Sequence, residues 1–146
     1  TPGVIHGDYH LDNTLASLER PEILAIIDWE LATVGDCHMD LALMLMFWGD
    51  YRTQDPPAFQ ALQAVSRGAC TVSRRELAGR WAETLGRPLH HMNFYMALAF
   101  WRLAAIIEGA YGLHVAGKLD SDYARGLQYE VPALLAEAQA AAAGDW

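Results

Sequence analysis

The sequence predicts an α+β fold that is mostly α-helical: a small β-hairpin followed by a helical bundle. Three observations point there. Two short runs, 14–18 and the isoleucine-rich 23–27, flank Glu19-Arg20-Pro21-Glu22, whose proline sets a turn. After Asp36, helix starts and stops recur to the end of the chain. The chain has 146 residues, 53% of them hydrophobic and 19% charged, enough for one real core.

Each element has its own signal. Val4-Ile5 is a β-branched pair leading into a loop, and Ile23, Leu24, Ile26 and Ile27 suit a strand that ends at Asp28. Beyond Trp29 the chain is expected to turn helical. Gly35-Asp36 ends a loop, Asp36 or His38 caps a helix over about 39–48, and Asp40 sits in its first turn, facing the positive end of the dipole. Asp55-Pro56-Pro57 reads as an N-cap with proline at the helix start, opening a helix over 58–67. Ser73-Arg74-Arg75-Glu76 is a capping box, and its helix stops at Gly86. A long apolar helix follows from about 90 to 111 or beyond. A last one starts near Ser121, where Pro132 predicts a kink or restart and the alanine-rich end, 138–143, is expected to fray.

The net charge is −8, from 18 acidic and 10 basic residues, which disfavours a nucleic-acid backbone as partner. Cys37 and Cys70 supply neither a disulfide framework nor metal-ligand spacing, so the expected setting is reduced and cytoplasmic. The mean hydropathy is +0.06. The most apolar stretch, 92–107, is interrupted by Asn93 and Arg102 and is expected to be a core helix rather than a membrane span. No repeat or linker divides the chain, so residues 1–146 read as one domain.

The chemistry lies near the start. His6-Gly7-Asp8-Tyr9-His10-Leu11-Asp12-Asn13 carries the H-x-D-x-x-x-x-N spacing of a kinase catalytic loop, and a further carboxylate, Asp28, follows the apolar run of the second strand. Phosphoryl transfer needs a carboxylate at the acceptor hydroxyl, and an amide and a carboxylate to hold Mg²⁺ against the phosphates. A hairpin can bring loop residues Asp8 and Asn13 to the strand-end Asp28.

With the third block, Gly35-Asp36-Cys37-His38-Met39-Asp40-Leu41-Ala42, the arrangement resembles the aminoglycoside phosphotransferase-like family, which has a protein-kinase-like fold. The wording is closest to the type also found fused to acyl-CoA dehydrogenases. The resemblance covers the C-terminal lobe of that fold from its catalytic loop onward. It implies Asp8 as the catalytic Asp, Asn13 and Asp28 as ligands of Mg²⁺ on ATP or another nucleoside triphosphate, and Asp40 as a carboxylate buttressing the loop. His6 is expected to pack and hydrogen-bond in support of the site. Trp29-Glu30 replaces the Phe-Gly that follows the metal-binding Asp in protein kinases, which removes the basis for a kinase-type activation switch. No G-x-G-x-x-G run occurs and the lone lysine, Lys118, lies far downstream. The N-terminal, nucleotide-binding lobe is therefore read as absent, and the chain alone is expected to hold ATP poorly.

The acceptor implied is a small-molecule hydroxyl compound, since relatives of the family act on aminoglycosides, sugars, small alcohols, choline-like amines and hydroxyacyl compounds. Candidate acceptor-binding residues are His10, Asp12, Glu30, Trp101, Glu108 and Tyr111, with Trp48 a further aromatic. His10 and Asp12 face either the acceptor or solvent. The aromatics have core packing as their plain alternative, and Glu108 a surface charge. Two other readings compete: a two-metal hydrolase built on His6, Asp8, His10, Asp12 and Asp28, and a non-catalytic kinase-like interaction module. The lobe face left uncovered is expected to promote self-association.

Overall fold

A computed structural model of the chain describes residues 2–49, 64–68 and 72–146. Four short strands come first, as two antiparallel pairs. β1 (Gly3–Ile5) pairs with β4 (Thr33–Gly35), matching Val4 to Val34. β2 (Thr14–Ala16) pairs with β3 (Ile23–Ile26), matching Thr14 to Ile26, with a bulge between Leu15 and Ala16. The Ser17 N–H bonds to the Glu22 carbonyl at 2.9 Å and closes the turn predicted around Pro21.

The pair β1–β4 was not expected. After Asp28 the chain makes only a short 3₁₀ turn, Trp29–Leu31, and then returns as a strand instead of turning helical. Three residues carry too little alternation to be read as a strand. What makes β4 is the edge that Val4 and Ile5 present to it.

Four helices follow. α1 (His38–Met46) ends slightly earlier than expected. α2 (Arg74–Leu85) opens on the complete Ser73–Glu76 capping box and ends at Gly86, in the left-handed region at φ 60°. α3 (Met92–Val115) spans 24 residues, and α4 (Asp122–Ala142) 21. Pro132, expected to kink or restart the helix, lies inside α4, which runs through it without a restart. The alanine-rich end of α4 is anchored rather than loose. Ala138 and Ala141 are buried, and just beyond them the Trp146 indole N–H donates to Asn93 Oδ1 at 2.8 Å. The helix expected over 58–67 lies mostly outside the described residues; its last four, Ala64–Arg67, form a 3₁₀ turn.

The core sits between α1, α3 and α4. Leu45 and Met46 of α1, Met96 and Phe100 of α3, and Leu127 and Leu134 of α4 are fully enclosed. At 24 residues α3 is longer than the apolar stretch suggested, and apolar enough to cross a membrane by length and composition. One face of it instead forms the common wall against α1 and α4, while Phe94, Trp101 and Ile106 remain exposed. The strands pack lightly by comparison. Val4, Leu24 and Val34 are each more than half exposed, so the strand region presents an uncovered apolar surface.

Candidate active site

The loop between β1 and β2 is held from every side by groups far away in sequence. Asp40, in the first turn of α1, accepts the His6 N–H at 2.6 Å through Oδ2 and the Gly7 N–H at 2.9 Å through Oδ1. These charge-assisted bonds tie the loop to the bundle. The buried His6 ring bridges the other way. Its Nε2–H donates to the Ile27 carbonyl at 2.7 Å, and its Nδ1 accepts the Asp8 N–H at 3.2 Å, so both ring nitrogens are used. His6 also leans on Trp29, centroids 4.7 Å apart. Gly7 adopts φ +84°, and a Cβ there would meet the Leu31 carbonyl oxygen at 2.5 Å. Only glycine fits that approach.

Asp8 and Asn13 touch. The Asn13 amide Nδ2 donates to the Asp8 carbonyl at 2.9 Å and reaches Asp8 Oδ2 at 3.4 Å. With the nitrogen committed, Asn13 Oδ1 has no protein donor among the described residues. The Asp8 side chain is 38% exposed, and His10 Nε2 lies 3.6 Å from its Oδ2, with the imidazole against Phe47.

Asp28 is brought to the same end by strand pairing. The Ile27 N–H bonds to the Asn13 carbonyl at 3.0 Å, so Asp28 follows the last ladder bond. It is exposed and sits in the left-handed region at φ 67°, ψ 52°, which a non-glycine residue holds only when its surroundings impose it. The Trp29 indole N–H, bonded to the Ile26 carbonyl at 2.8 Å, closes the turn that imposes it. Among the described residues nothing donates to Asn13 Oδ1 or to the Asp28 carboxylate, and both are hard oxygen donors, the type Mg²⁺ takes.

The remaining candidates divide. His10 belongs to the loop cluster, whereas Asp12 and Glu30 are exposed beside it. Trp101 and Glu108 are exposed on α3, and Trp101 lines a shallow groove shared with Leu135 and Ala138 of α4. Tyr111 is partly buried against the core. Trp48 gives its indole N–H to the Val72 carbonyl at 2.7 Å, a structural bond. Among the described residues, the α3 side chain that bonds the loop is Arg102, with Nη1 donating to the Gly7 carbonyl at 2.7 Å. Trp101, about 100° round the helix from Arg102, therefore points elsewhere. An arginine inside an apolar helical run was the available signal for this contact, because such a cation is seldom placed without a partner.

A second polar cluster also lay beyond sequence reasoning. Asp36 Oδ1 accepts from the His38 backbone N–H at 3.0 Å and lies 2.5 Å from His38 Nδ1, while Oδ2 accepts from the Tyr95 hydroxyl at 3.1 Å. These bonds hold the Asp36 carboxyl at about 2, the His38 backbone N–H being the largest cause. Burial, then the Asp36 bond, pushes the Tyr95 hydroxyl upward. A groove of about 540 Å³ opens behind the loop, lined by Val4, Tyr9, Trp29, Met44, Leu77 and Trp81 among others; Asp8, Asn13 and Asp28 do not line it.

The profile of the phosphotransferase enzyme family matches residues 1–78. A crystal structure from Ralstonia eutropha JMP134, of a protein assigned as an aminoglycoside phosphotransferase, superposes with a TM-score of 0.74 at 27% identity, covering 96% of this chain and 42% of that one. The chain belongs to the phosphotransferase enzyme family, and its fold is a protein-kinase-like C-terminal lobe. Among similar curated proteins, acyl-CoA dehydrogenase family member 10 of Mus musculus is 34% identical over 122 residues, 81% of this chain. Acyl-CoA dehydrogenase family member 11 of Homo sapiens is 31% identical over 121 residues, 82% of this chain. The chain spans only 11% and 15% of those two proteins.

Proposed function

We propose that this chain is the catalytic and acceptor-binding lobe of an ATP-dependent phosphotransferase that phosphorylates a hydroxyl group of a small molecule. The observation that carries the reading is the Asp8–Asn13 contact, on a loop whose backbone Asp40 and His6 hold in place. Asp8 is open to solvent on its carboxylate side, as a group that receives the acceptor hydroxyl proton must be. Asn13 Oδ1 and Asp28 would hold Mg²⁺, which when bound neutralises charge on the nucleotide phosphates. The chain's own task is positioning: Asp8 orients the hydroxyl, and His6 and Asp40 keep that carboxylate in register with the metal ligands.

The test is phosphoryl transfer by the full-length protein from ATP and Mg²⁺. Asp8→Asn should lower kcat by about 10²–10⁴ with little change in folding. Asn13→Ala and Asp28→Asn should raise the Mg²⁺ requirement. An Asp8→Asn protein as active as the parent would end the reading. By the same proposal the 146-residue chain alone binds ATP weakly, since the sequence holds no glycine-rich phosphate loop. Tight ATP binding by calorimetry would contradict that. A cytoplasmic setting, with ATP as donor, belongs to the same proposal.

For the acceptor, the names of the relatives favour a hydroxylated acyl compound. They are named for acyl-CoA dehydrogenation, and α3 beyond Arg102 exposes Ile106 and Leu113 rather than a carboxylate cluster suited to a polycation. An aminoglycoside is the second reading, supported by the assignment of the structural neighbour. Parallel assays with hydroxyacyl-CoA and aminoglycoside acceptors separate the two. The hydrolase alternative loses ground because His6 has spent both ring nitrogens within the protein. The exposed apolar strand residues support self-association of the isolated chain. Sedimentation showing a monomer at high concentration would refute that.

A further inference from the structure

We infer that Arg102 is a positioning residue for Asp8, a role that rests on the phosphotransferase reading above. The peptide joining Gly7 to Asp8 is gripped at both ends. Its N–H, that of Asp8, goes to His6 Nδ1 at 3.2 Å; its carbonyl, that of Gly7, receives Arg102 Nη1 at 2.7 Å. The preceding two N–H groups are held by Asp40. Rotation of the Gly7–Asp8 plane would swing the Asp8 Cα–Cβ bond, and glycine at φ +84° offers little steric resistance to such a rotation on its own side. Arg102 supplies the missing restraint from α3, a helix 95 residues away in sequence.

Its surroundings support the assignment. Arg102 is half-buried and lines a small cavity together with Met39, Leu43, Tyr95 and Leu98, and among the described residues no carboxylate pairs with it. A cation set in an apolar helix without a counter-charge is costly. The Gly7 carbonyl is the partner that accounts for its placement. The same bond joins the catalytic loop to α3, whose exposed further turns carry the surface proposed for the acceptor.

Two measurements test this. In the 146-residue chain, Arg102→Met should speed amide hydrogen exchange at Gly7 and Asp8 at least tenfold while leaving α1 amides such as Leu45 unchanged. Arg102→Lys, which keeps a donor, should restore exchange to within threefold. In the full-length protein, Arg102→Met should lower kcat at least tenfold with the KM for ATP within twofold, and Arg102→Lys should recover most of it. Equal acceleration of loop and α1 amides would show a merely structural role and overturn the inference, as would a wild-type kcat in Arg102→Met alongside a dead Asp8→Asn. If the wild-type protein transfers no phosphoryl group at all, the functional reading fails, and the exchange experiment still decides whether Arg102 holds this peptide.

Discussion

Replacing Asp40 with Asn separates the loop from the bundle with a change of one atom. Asp40 now accepts two backbone N–H groups, at 2.6 and 2.9 Å, through its two oxygens. An asparagine keeps one oxygen, loses the charge, and turns an NH₂ against the second N–H. Hydrogen bonds to a charged group contribute about 1.5–3 kcal/mol each. One bond lost and one weakened, in a partly exposed site, amount to about 2–3 kcal/mol. For a chain of this size that is about 6–9 °C in Tm. Thermal unfolding followed by circular dichroism reads the first effect. In the full-length protein, kcat should fall by about 10² because displacing a reacting group by an ångström costs that much. A Tm within 2 °C of the parent would refute the energetic reasoning. A lowered Tm with unchanged kcat would refute the claim that Asp40 positions Asp8.

Gly7→Ala forces a Cβ to 2.5 Å from the Leu31 carbonyl oxygen at a positive φ, and should cost about 2–4 kcal/mol, read as a lower urea midpoint. His6→Leu leaves the Ile27 carbonyl and the Asp8 N–H without their partner, about 1–3 kcal/mol for each group that stays buried; near-ultraviolet dichroism from Trp29 should change with it. The Asp36 carboxyl titrates at about 2 in the folded chain against an ordinary 3.8. Its contribution to stability is therefore complete above about pH 4 and is lost as pH falls toward 2. Asp36→Asn should flatten the Tm-versus-pH curve over that window, and an unaltered slope would show that the Asp36–His38 pair is energetically idle.

The sequence by itself determined the hairpin from Pro21 and the isoleucine-rich run after it, α2 from its capping box and terminal glycine, and the residue types of the loop. These are local: each rests on side chains within a few positions of the backbone they govern. The pairing of β1 with β4 was not legible, because three residues have no periodicity and acquire a strand partner only when the chain folds back. Nor was the network Asp36–His38–Tyr95, whose third member sits 59 residues away. The motif spacing named Asp8, Asn13 and Asp28, and the family resemblance implied Asp40 and His6 as their supports, but neither gave the atoms those supports hold, and neither pointed to Arg102. The tertiary structure decided the bonds: the expected Asp40 carboxylate takes two loop N–H groups, and α3 adds an unexpected guanidinium on the carbonyl before Asp8. Backbone groups of an irregular loop have no partners of their own, so the side chains that satisfy them come from wherever the fold brings a helix alongside, and no pattern along the chain encodes that distance.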